Sequence, residues 1–161
     1  MPERAAPTAT DRDLRNRAGR RGARQRVWDV ALVVAAGGAL GALARYGLSV
    51  ALPHGPGTFP WSTFLVNVLG CLLIGVLMIV LTEVAGRPHR LARPFIGVGI
   101  LGGFTTFSTY AVDIQQLVAA GAPATALAYL AGTLVAALLA VEAGMLATRL
   151  ATRRRPTGGL P

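Results

Sequence analysis

Four long apolar blocks constrain this chain more than any other feature of its sequence. They run from about Val27 to Leu52, Phe59 to Val84, Pro94 to Ala120 and Ala122 to Thr148. Each block exceeds the roughly 20 residues that an α-helix needs to cross the hydrocarbon core of a bilayer. The blocks therefore predict an all-α membrane protein with four transmembrane helices.

Charged residues are concentrated at the ends of these blocks. All 16 basic residues are arginine, and they give the 161-residue chain a formal net charge of +9. Eight precede Val27, three lie between the second and third blocks and four follow the fourth block. Arginine beside apolar blocks is typical of membrane flanks, so we expect no nucleic-acid partner. The positive-inside rule predicts that both termini are cytoplasmic.

The same pattern divides the chain into three parts. Residues 1–26 are rich in arginine and nearly free of large apolar residues, and we expect a disordered cytoplasmic tail there. Residues 27–148 form the predicted membrane domain, and residues 149–161 form a basic C-terminal tail. Cys71 is the only cysteine and lies in an apolar block, which excludes an intrachain disulfide. The sequence has no phosphate-binding loop and no Ser/His/Asp set, so we do not expect an enzyme.

Polar residues interrupt the second and fourth blocks at helical spacing. Thr63 and Asn67 are four residues apart, as are Tyr129 and Thr133, so each pair shares one helix face. A polar side chain inside a membrane either bonds to a neighbouring helix or serves a solute. The spacing alone leaves both interpretations open.

The first block combines small residues with one charge. Gly37 and Gly41 have the spacing that lets two transmembrane helices approach closely. Arg45 lies near the outer end of this block, at a depth similar to that of Asp113 in the third block. We interpret Arg45 and Asp113 as a candidate structural ion pair.

The third block contains the stretch "GILGGFTTFSTYAVD", residues 99–113. The adjacent Gly102 and Gly103 weaken a helix, and the hydroxyl residues that follow compete for backbone hydrogen bonds. The stretch therefore predicts a helix broken near its middle. Carbonyl groups freed at such a break suit a cation. Phe107 and Tyr110 share a face after the break, and their positive ring edges suit an anion.

This stretch, together with "GGALGALARYGLS" and "GTFPWSTFLVNVLG", resembles the signatures of the Fluc/CrcB fluoride channel family. The resemblance covers about Val27 to Thr148. It implies a four-helix subunit of the plasma membrane that forms an antiparallel dimer and passes fluoride passively. The second subunit is either another copy or a paralogous protein. A subunit that inserts in both orientations needs a small difference in arginine and lysine number between its two membrane sides. The one-sided arginine distribution of this chain therefore favours a paralogous partner.

The resemblance also implies roles for individual residues. A structural sodium ion is expected at the backbone carbonyls of Gly102 and Thr105, and Gly103 and Arg45 are expected to be structural. The expected fluoride pore consists of Asn67, Phe107, Tyr110, Thr63, Tyr129 and Thr133. This chain departs from the family at Tyr110, where phenylalanine is usual, and at Ala137, where serine is frequent.

Two alternatives come from other classes of protein. A small dual-topology, proton-coupled drug exporter needs a carboxylate within the membrane, and none lies near the middle of the four blocks. A purely structural helix bundle would leave the break in the third helix without an explanation.

Overall fold

The computed structural model describes residues 9–86 and 89–153, with side-chain surroundings from residue 24 onward. All regular elements in this part of the chain are helical. They are α1 (Ala9–Ala51), α2 (Trp61–Ile79), a π-helical turn (Val80–Val84), a π-helical segment (Arg93–Leu101), α3 (Gly102–Phe104), α4 (Phe107–Ala119) and α5 (Pro123–Arg153).

Four helical stretches are long and apolar enough to cross a membrane, which confirms the predicted all-α fold with four spans. The first to fourth spans are Arg24–Ala51, Trp61–Val84, Arg93–Ala119 and Pro123–Arg153. Many of their large apolar side chains are exposed, and Leu138 is 62% exposed. Such exposure would be costly in water, but it is the normal state of a side chain that contacts lipid.

Two helix ends differ from the expected boundaries. Helix α1 begins at Ala9, inside the tail 1–26 that we expected to be disordered. Arginine, alanine and glutamine favour helix, and this segment continues directly into the first span. Helix α5 continues past Thr148 to Arg153. Residues 154–161 of the predicted C-terminal tail lie outside the described residues, as does Arg87 of the middle loop, and the domain boundaries remain predictions.

Glycines allow the first span to pack closely on the third. An added Cβ atom at Gly37 would lie 3.0 Å from the Cα atom of Gly99, and one at Gly41 would lie 2.7 Å from the backbone nitrogen of Phe104. These separations are too short for a side chain, so the close approach predicted from the Gly37 and Gly41 spacing is confirmed.

Glycines play the same role between the second and fourth spans. An added Cβ atom at Gly75 would lie 3.1 Å from the backbone nitrogen of Met145, and one at Gly144 would lie 3.1 Å from that of Val76. The fold therefore consists of two tightly packed helix pairs. Helix α4, in the C-terminal half of the third span, also packs on α5 and so links the two pairs.

Two ion pairs tie the helices at the arginine-rich end of the bundle. Arg90 lies 2.8 Å from Asp29, and Arg149 lies 2.8 Å from Glu83. All four side chains are more than a third exposed. Solvent screening therefore keeps the contribution of each pair to stability small.

Candidate functional site

The helical backbone of the third span is interrupted at two residues. Thr105 and Thr106 have extended dihedral angles, with ψ of 158° and 123°. Both residues lie within the stretch 99–113 singled out in the sequence. Gly102 is helical, with φ −67° and ψ −34°, and α3 includes both glycines. The non-helical backbone follows them directly.

Asn67 of the second span pairs with the interrupted backbone. Its Nδ2 donates a hydrogen bond to the Thr106 carbonyl oxygen at 3.0 Å, and its Oδ1 accepts one from the Thr106 N–H at 2.9 Å. An unpaired backbone group in the membrane interior costs several kcal/mol. The Asn67 side chain thus replaces both helical partners that Thr106 lacks, and we name this pair of bonds the Asn67 clamp.

Neighbouring side chains satisfy other groups at the interruption. The Thr106 Oγ1 accepts a hydrogen bond from the Thr109 N–H at 3.1 Å, which caps the start of α4. The Thr105 Oγ1 donates to the Leu101 carbonyl at 2.9 Å. Gly70, one turn after Asn67, provides space for the Thr105 methyl group, because an added Cβ atom would overlap it. Sequence reasoning missed Thr106 and Gly70, although threonine is among the residues preferred at a helix N-cap.

A cavity of about 300 Å³ lies beside the Asn67 clamp. We name it the polar groove, since its lining brings polar side chains from three spans together within an apolar surround. The lining includes Asn67, Cys71, Thr105, Thr106, Phe107, Tyr110, Thr133 and Ala137. Four of the residues predicted for the pore, Asn67, Phe107, Tyr110 and Thr133, therefore face one space.

Two hydrogen-bond donors in the polar groove lack a partner in the described part of the chain. The Thr133 side chain is 6% exposed, and its Oγ1 has no hydrogen bond. Asn67 uses one of its two amide N–H groups on Thr106, and the other has no acceptor there. A buried hydroxyl without a partner normally costs about 1–3 kcal/mol, so such a group is expected to have a ligand or water as its partner.

Aromatic rings form a continuous wall next to these donors. The Tyr110 ring lies between Phe107 and Tyr129, at centroid distances of 5.9 and 5.1 Å. Phe107 lines the groove and is 80% exposed. Tyr129 is fully buried behind Tyr110 and does not line the groove.

The candidate ion pair between Arg45 and Asp113 is wrong. Within the described residues Arg45 makes no ion pair, and the buried Asp113 accepts a hydrogen bond from the Tyr129 hydroxyl at 3.2 Å. The packing explains the error. The first span contacts the half of the third span that precedes the interruption, whereas Asp113 lies in α4, which packs on α5.

Arg45 lines a second cavity, of about 250 Å³, with hydroxyl residues of three helices. Thr63, which we predicted for the pore, is 5% exposed and lies here. Thr106 contributes to this cavity as well as to the polar groove. The two cavities therefore share Thr106 at the interrupted backbone, and Thr63 lines one of them and Thr133 the other.

The carbonyl groups of Gly102 and Thr105, which are predicted to bind sodium, take no part in the Asn67 clamp or in the other hydrogen bonds at the interruption. Neither the Gly102 nor the Thr105 carbonyl oxygen accepts a hydrogen bond within the described residues. Gly102 is exposed, and an added Cβ atom there would contact nothing within 4 Å. In the described residues, no three His, Cys, Asp or Glu side chains are grouped so that they could hold a metal ion.

The four spans define a small polytopic membrane protein in which polar side chains line a groove between apolar helices. Residues 32–145 match the protein family described as CrcB-like protein, Camphor Resistance (CrcB). Because this match covers well over half of the chain, the protein belongs to that family. The resemblance found in the sequence motifs is confirmed.

Curated relatives agree with this assignment. The chain is 63% identical over 105 residues to "Fluoride-specific ion channel FluC 2" of Streptomyces avermitilis, and the aligned region covers 65% of this chain and 66% of the relative. It is 56% identical over 123 residues to "Fluoride-specific ion channel FluC 2" of Nocardia farcinica, which covers 76% and 87%. It is 61% identical over 113 residues to "Fluoride-specific ion channel FluC 1" of Streptomyces coelicolor, which covers 70% and 72%.

Proposed function

We propose that this protein is a fluoride-specific ion channel of the plasma membrane that lowers cytoplasmic fluoride by passive flow. The names of the relatives supply the ion. One observation links this proposal to particular residues. The buried Thr133 hydroxyl has no hydrogen-bond partner in the described chain, and it shares the polar groove with the free N–H of Asn67. We also propose that residues 27–148 are the channel domain, flanked by the tails 1–26 and 149–161.

The groove offers what a dehydrated small anion needs. The Thr133 hydroxyl and the second Asn67 N–H replace lost water as donors, and hydrogen bonds to a charged partner are worth about 1.5–3 kcal/mol. The edges of Phe107 and Tyr110 carry partial positive charge and attract an anion without binding it tightly. Weak, repeated contacts of this kind let an ion both enter and leave. In this proposal Thr63 lines the neighbouring cavity that also contains Arg45, and the Tyr129 ring packs behind the Tyr110 ring.

Replacing Thr133 with valine tests this assignment. Valine keeps the shape and removes only the hydroxyl, so we expect fluoride efflux from liposomes to fall roughly 10-fold or more, the value of one hydrogen bond to an anion. The thermal stability should be unchanged or slightly higher, since the hydroxyl has no protein partner.

Thr148→Val on the same helix is the matched control. The Thr148 hydroxyl donates to the Gly144 carbonyl at 2.8 Å and lies outside the groove, so its loss should leave efflux unchanged. Unchanged efflux in Thr133→Val would remove Thr133 from the pathway.

The comparisons favour the channel over a proton-coupled drug exporter. The family and the relatives named above point to fluoride, and none of those relatives is named as an exporter. The buried carboxylate of Asp113 is the feature that an exporter would need, but it is engaged by the Tyr129 hydroxyl. Proton-driven uptake of an organic cation by reconstituted protein, without fluoride efflux, would favour the exporter.

We propose further that the working unit is an antiparallel dimer with a structural sodium ion at its centre. The carbonyls of Gly102 and Thr105, from the helix interrupted near the middle of the third span, would hold the ion together with those of the second subunit. Two observations support this: these carbonyls lack donors in the described chain, and Gly102 lies on an open surface. Sodium would supply positive charge that neutralises the converging carbonyl dipoles. Phe107, 80% exposed, would contact the second subunit.

The orientation of the subunit is a separate prediction. The arginines at one end of the bundle include Arg90, Arg93, Arg149 and Arg153, whereas the loops at the other end have none. We propose that both termini are cytoplasmic and that a paralogous subunit supplies the opposite orientation.

Reporters fused to the C-terminus test this orientation. A cytoplasmic reporter should be active and an extracellular one inactive. Equal activity of both reporters would instead indicate dual topology and a homodimer.

A further inference from the structure

A single carboxylate is buried at the end of the bundle whose loops carry no arginine. Asp113, on α4, is 5% exposed, whereas the other acidic residues are Glu83, Glu142 and four within the first 29 positions. Its Oδ2 accepts a hydrogen bond from the Tyr129 hydroxyl at 3.2 Å. The described residues give the carboxylate no second hydrogen bond and no ion pair. A buried charge with one neutral partner is costly, so a compensating positive charge is expected beside it.

Asp113 lines a cavity of about 420 Å³, which we name the Asp113 cavity. One wall is the loop between the first and second spans, and the other is the C-terminal end of α4. The lining combines the polar residues His54, Thr58, Asp113 and Gln116 with apolar residues such as Pro56 and Leu117. None of these residues lines the polar groove or the cavity beside Arg45. The Asp113 cavity is therefore separate from the proposed fluoride pathway.

Hydrogen bonds and packing hold the loop that forms the first wall. The Thr58 hydroxyl and the Thr58 N–H both donate to the Gly55 carbonyl oxygen, at 2.8 and 3.2 Å. Gly57 has a φ of +76°, and an added Cβ atom there would lie 3.9 Å from the Cβ atoms of Ala120 and Ala122. The loop thus packs on the turn after α4. A wall fixed in this way lowers the entropy cost of binding a ligand.

The lining of the Asp113 cavity suits a small organic cation. A few polar groups within a mainly apolar surround are typical of sites for organic ligands. The Asp113 carboxylate supplies the negative charge, and the Gln116 side-chain oxygen is a further acceptor. The Thr58 hydroxyl hydrogen is used by Gly55, so the Thr58 oxygen is also left to accept. Pro56, on the loop, offers an apolar contact to carbon atoms.

We propose that the Asp113 cavity binds a small primary ammonium ion. The ammonium group donates hydrogen bonds to the carboxylate of Asp113 and to the oxygen of Gln116, and the carbon atoms lie against Leu117. A free amine and the ethanolamine headgroup of a phospholipid both carry this group. Trp61, 56% exposed at the same end of the bundle, is typical of the headgroup level of a membrane. The inference does not depend on the proposed fluoride function.

The test titrates ethanolamine, which is an ammonium ion at neutral pH, into the purified protein in detergent at constant ionic strength. We expect saturable binding. Asp113→Asn keeps the shape and an acceptor for Tyr129, and it should weaken binding about 10-fold or more, the value of one charged hydrogen bond. Gln116→Ala should weaken binding about threefold. Gln115→Ala, at a neighbour that does not line the cavity, is the matched control and should leave binding unchanged.

The source of the ammonium group is tested in lipid nanodiscs. A higher unfolding temperature in phosphatidylethanolamine than in phosphatidylcholine, lost in Asp113→Asn, would support the proposal with the headgroup as the ligand. Equal temperatures, together with ethanolamine binding, would support it with a free amine. Absence of both effects in the folded protein, or effects that persist in Asp113→Asn, would overturn it. Ethylene glycol, a neutral analogue, would overturn it as well if it bound as tightly as ethanolamine. None of these measurements uses fluoride efflux, so their failure would leave the channel assignment intact.

Discussion

Replacing Asn67 with aspartate is expected to abolish fluoride efflux, with a loss of about 100-fold or more. The substitution places a carboxylate in the polar groove, and a fixed negative charge at close range repels a dehydrated anion by several kcal/mol. It also removes the amide N–H groups, of which one binds the Thr106 carbonyl and the other is free for an ion. Efflux from liposomes that contain equal amounts of folded protein measures the effect.

Asn67→Leu separates the effect of the added charge from the effect of losing the Asn67 clamp. Leucine removes both hydrogen bonds to Thr106 without adding charge, so we expect a lower unfolding temperature together with a smaller loss of efflux than in Asn67→Asp. Aspartate retains an oxygen that can accept from the Thr106 N–H, and half of the Asn67 clamp should survive. Normal efflux from a folded Asn67→Asp protein would show that Asn67 only joins two helices.

Replacing Gly103 with alanine is expected to destabilise the subunit by about 3 kcal/mol or more, near the upper end of overpacking costs. An added Cβ atom would lie 2.9 Å from the Cα atom of Gly38 and would overlap the Gly38 carbonyl oxygen. Both obstacles are backbone atoms, so α1 and α3 would have to separate. Thermal or denaturant unfolding in detergent measures the loss.

Gly102→Ala is the matched control, one residue away. An added Cβ atom there meets nothing within 4 Å of the described chain, and alanine is the better helix former. The folded subunit should be at least as stable as the unmodified one. If Gly102 faces a second subunit, as proposed, the same variant should weaken dimerisation. Equal stability loss in both glycine variants would contradict the packing of α1 on α3.

The sequence was sufficient to predict the four spans, because hydropathy along a helix is a local property. It also singled out Asn67 and Thr133, since a polar side chain stands out in an apolar span, and the structure places both in the polar groove; their role in the pore stays a prediction. The Asn67 clamp could not be predicted, because it joins residues 39 positions apart whose pairing depends on how two helices pack.

The details that the sequence left open have the same physical origin. The glycine pair marks a weak helix, but the backbone leaves the helix at Thr105 and Thr106, where Asn67 provides replacement partners. The ion pair of Arg45 and Asp113 was wrong because similar depth does not determine which helix face a residue occupies. The hydrogen bond of the Tyr110 hydroxyl to the Leu130 carbonyl likewise depends on the packing of α4 on α5.

Fluoride efflux from liposomes reconstituted with the purified protein tests the central claim most directly. The liposomes are loaded with potassium fluoride, valinomycin supplies the counter-ion path, and an electrode records fluoride in the external medium. The channel assignment predicts rapid efflux that depends on the protein and is lost in Asn67→Asp. A folded, correctly reconstituted protein that releases no fluoride above the rate of empty liposomes would contradict it.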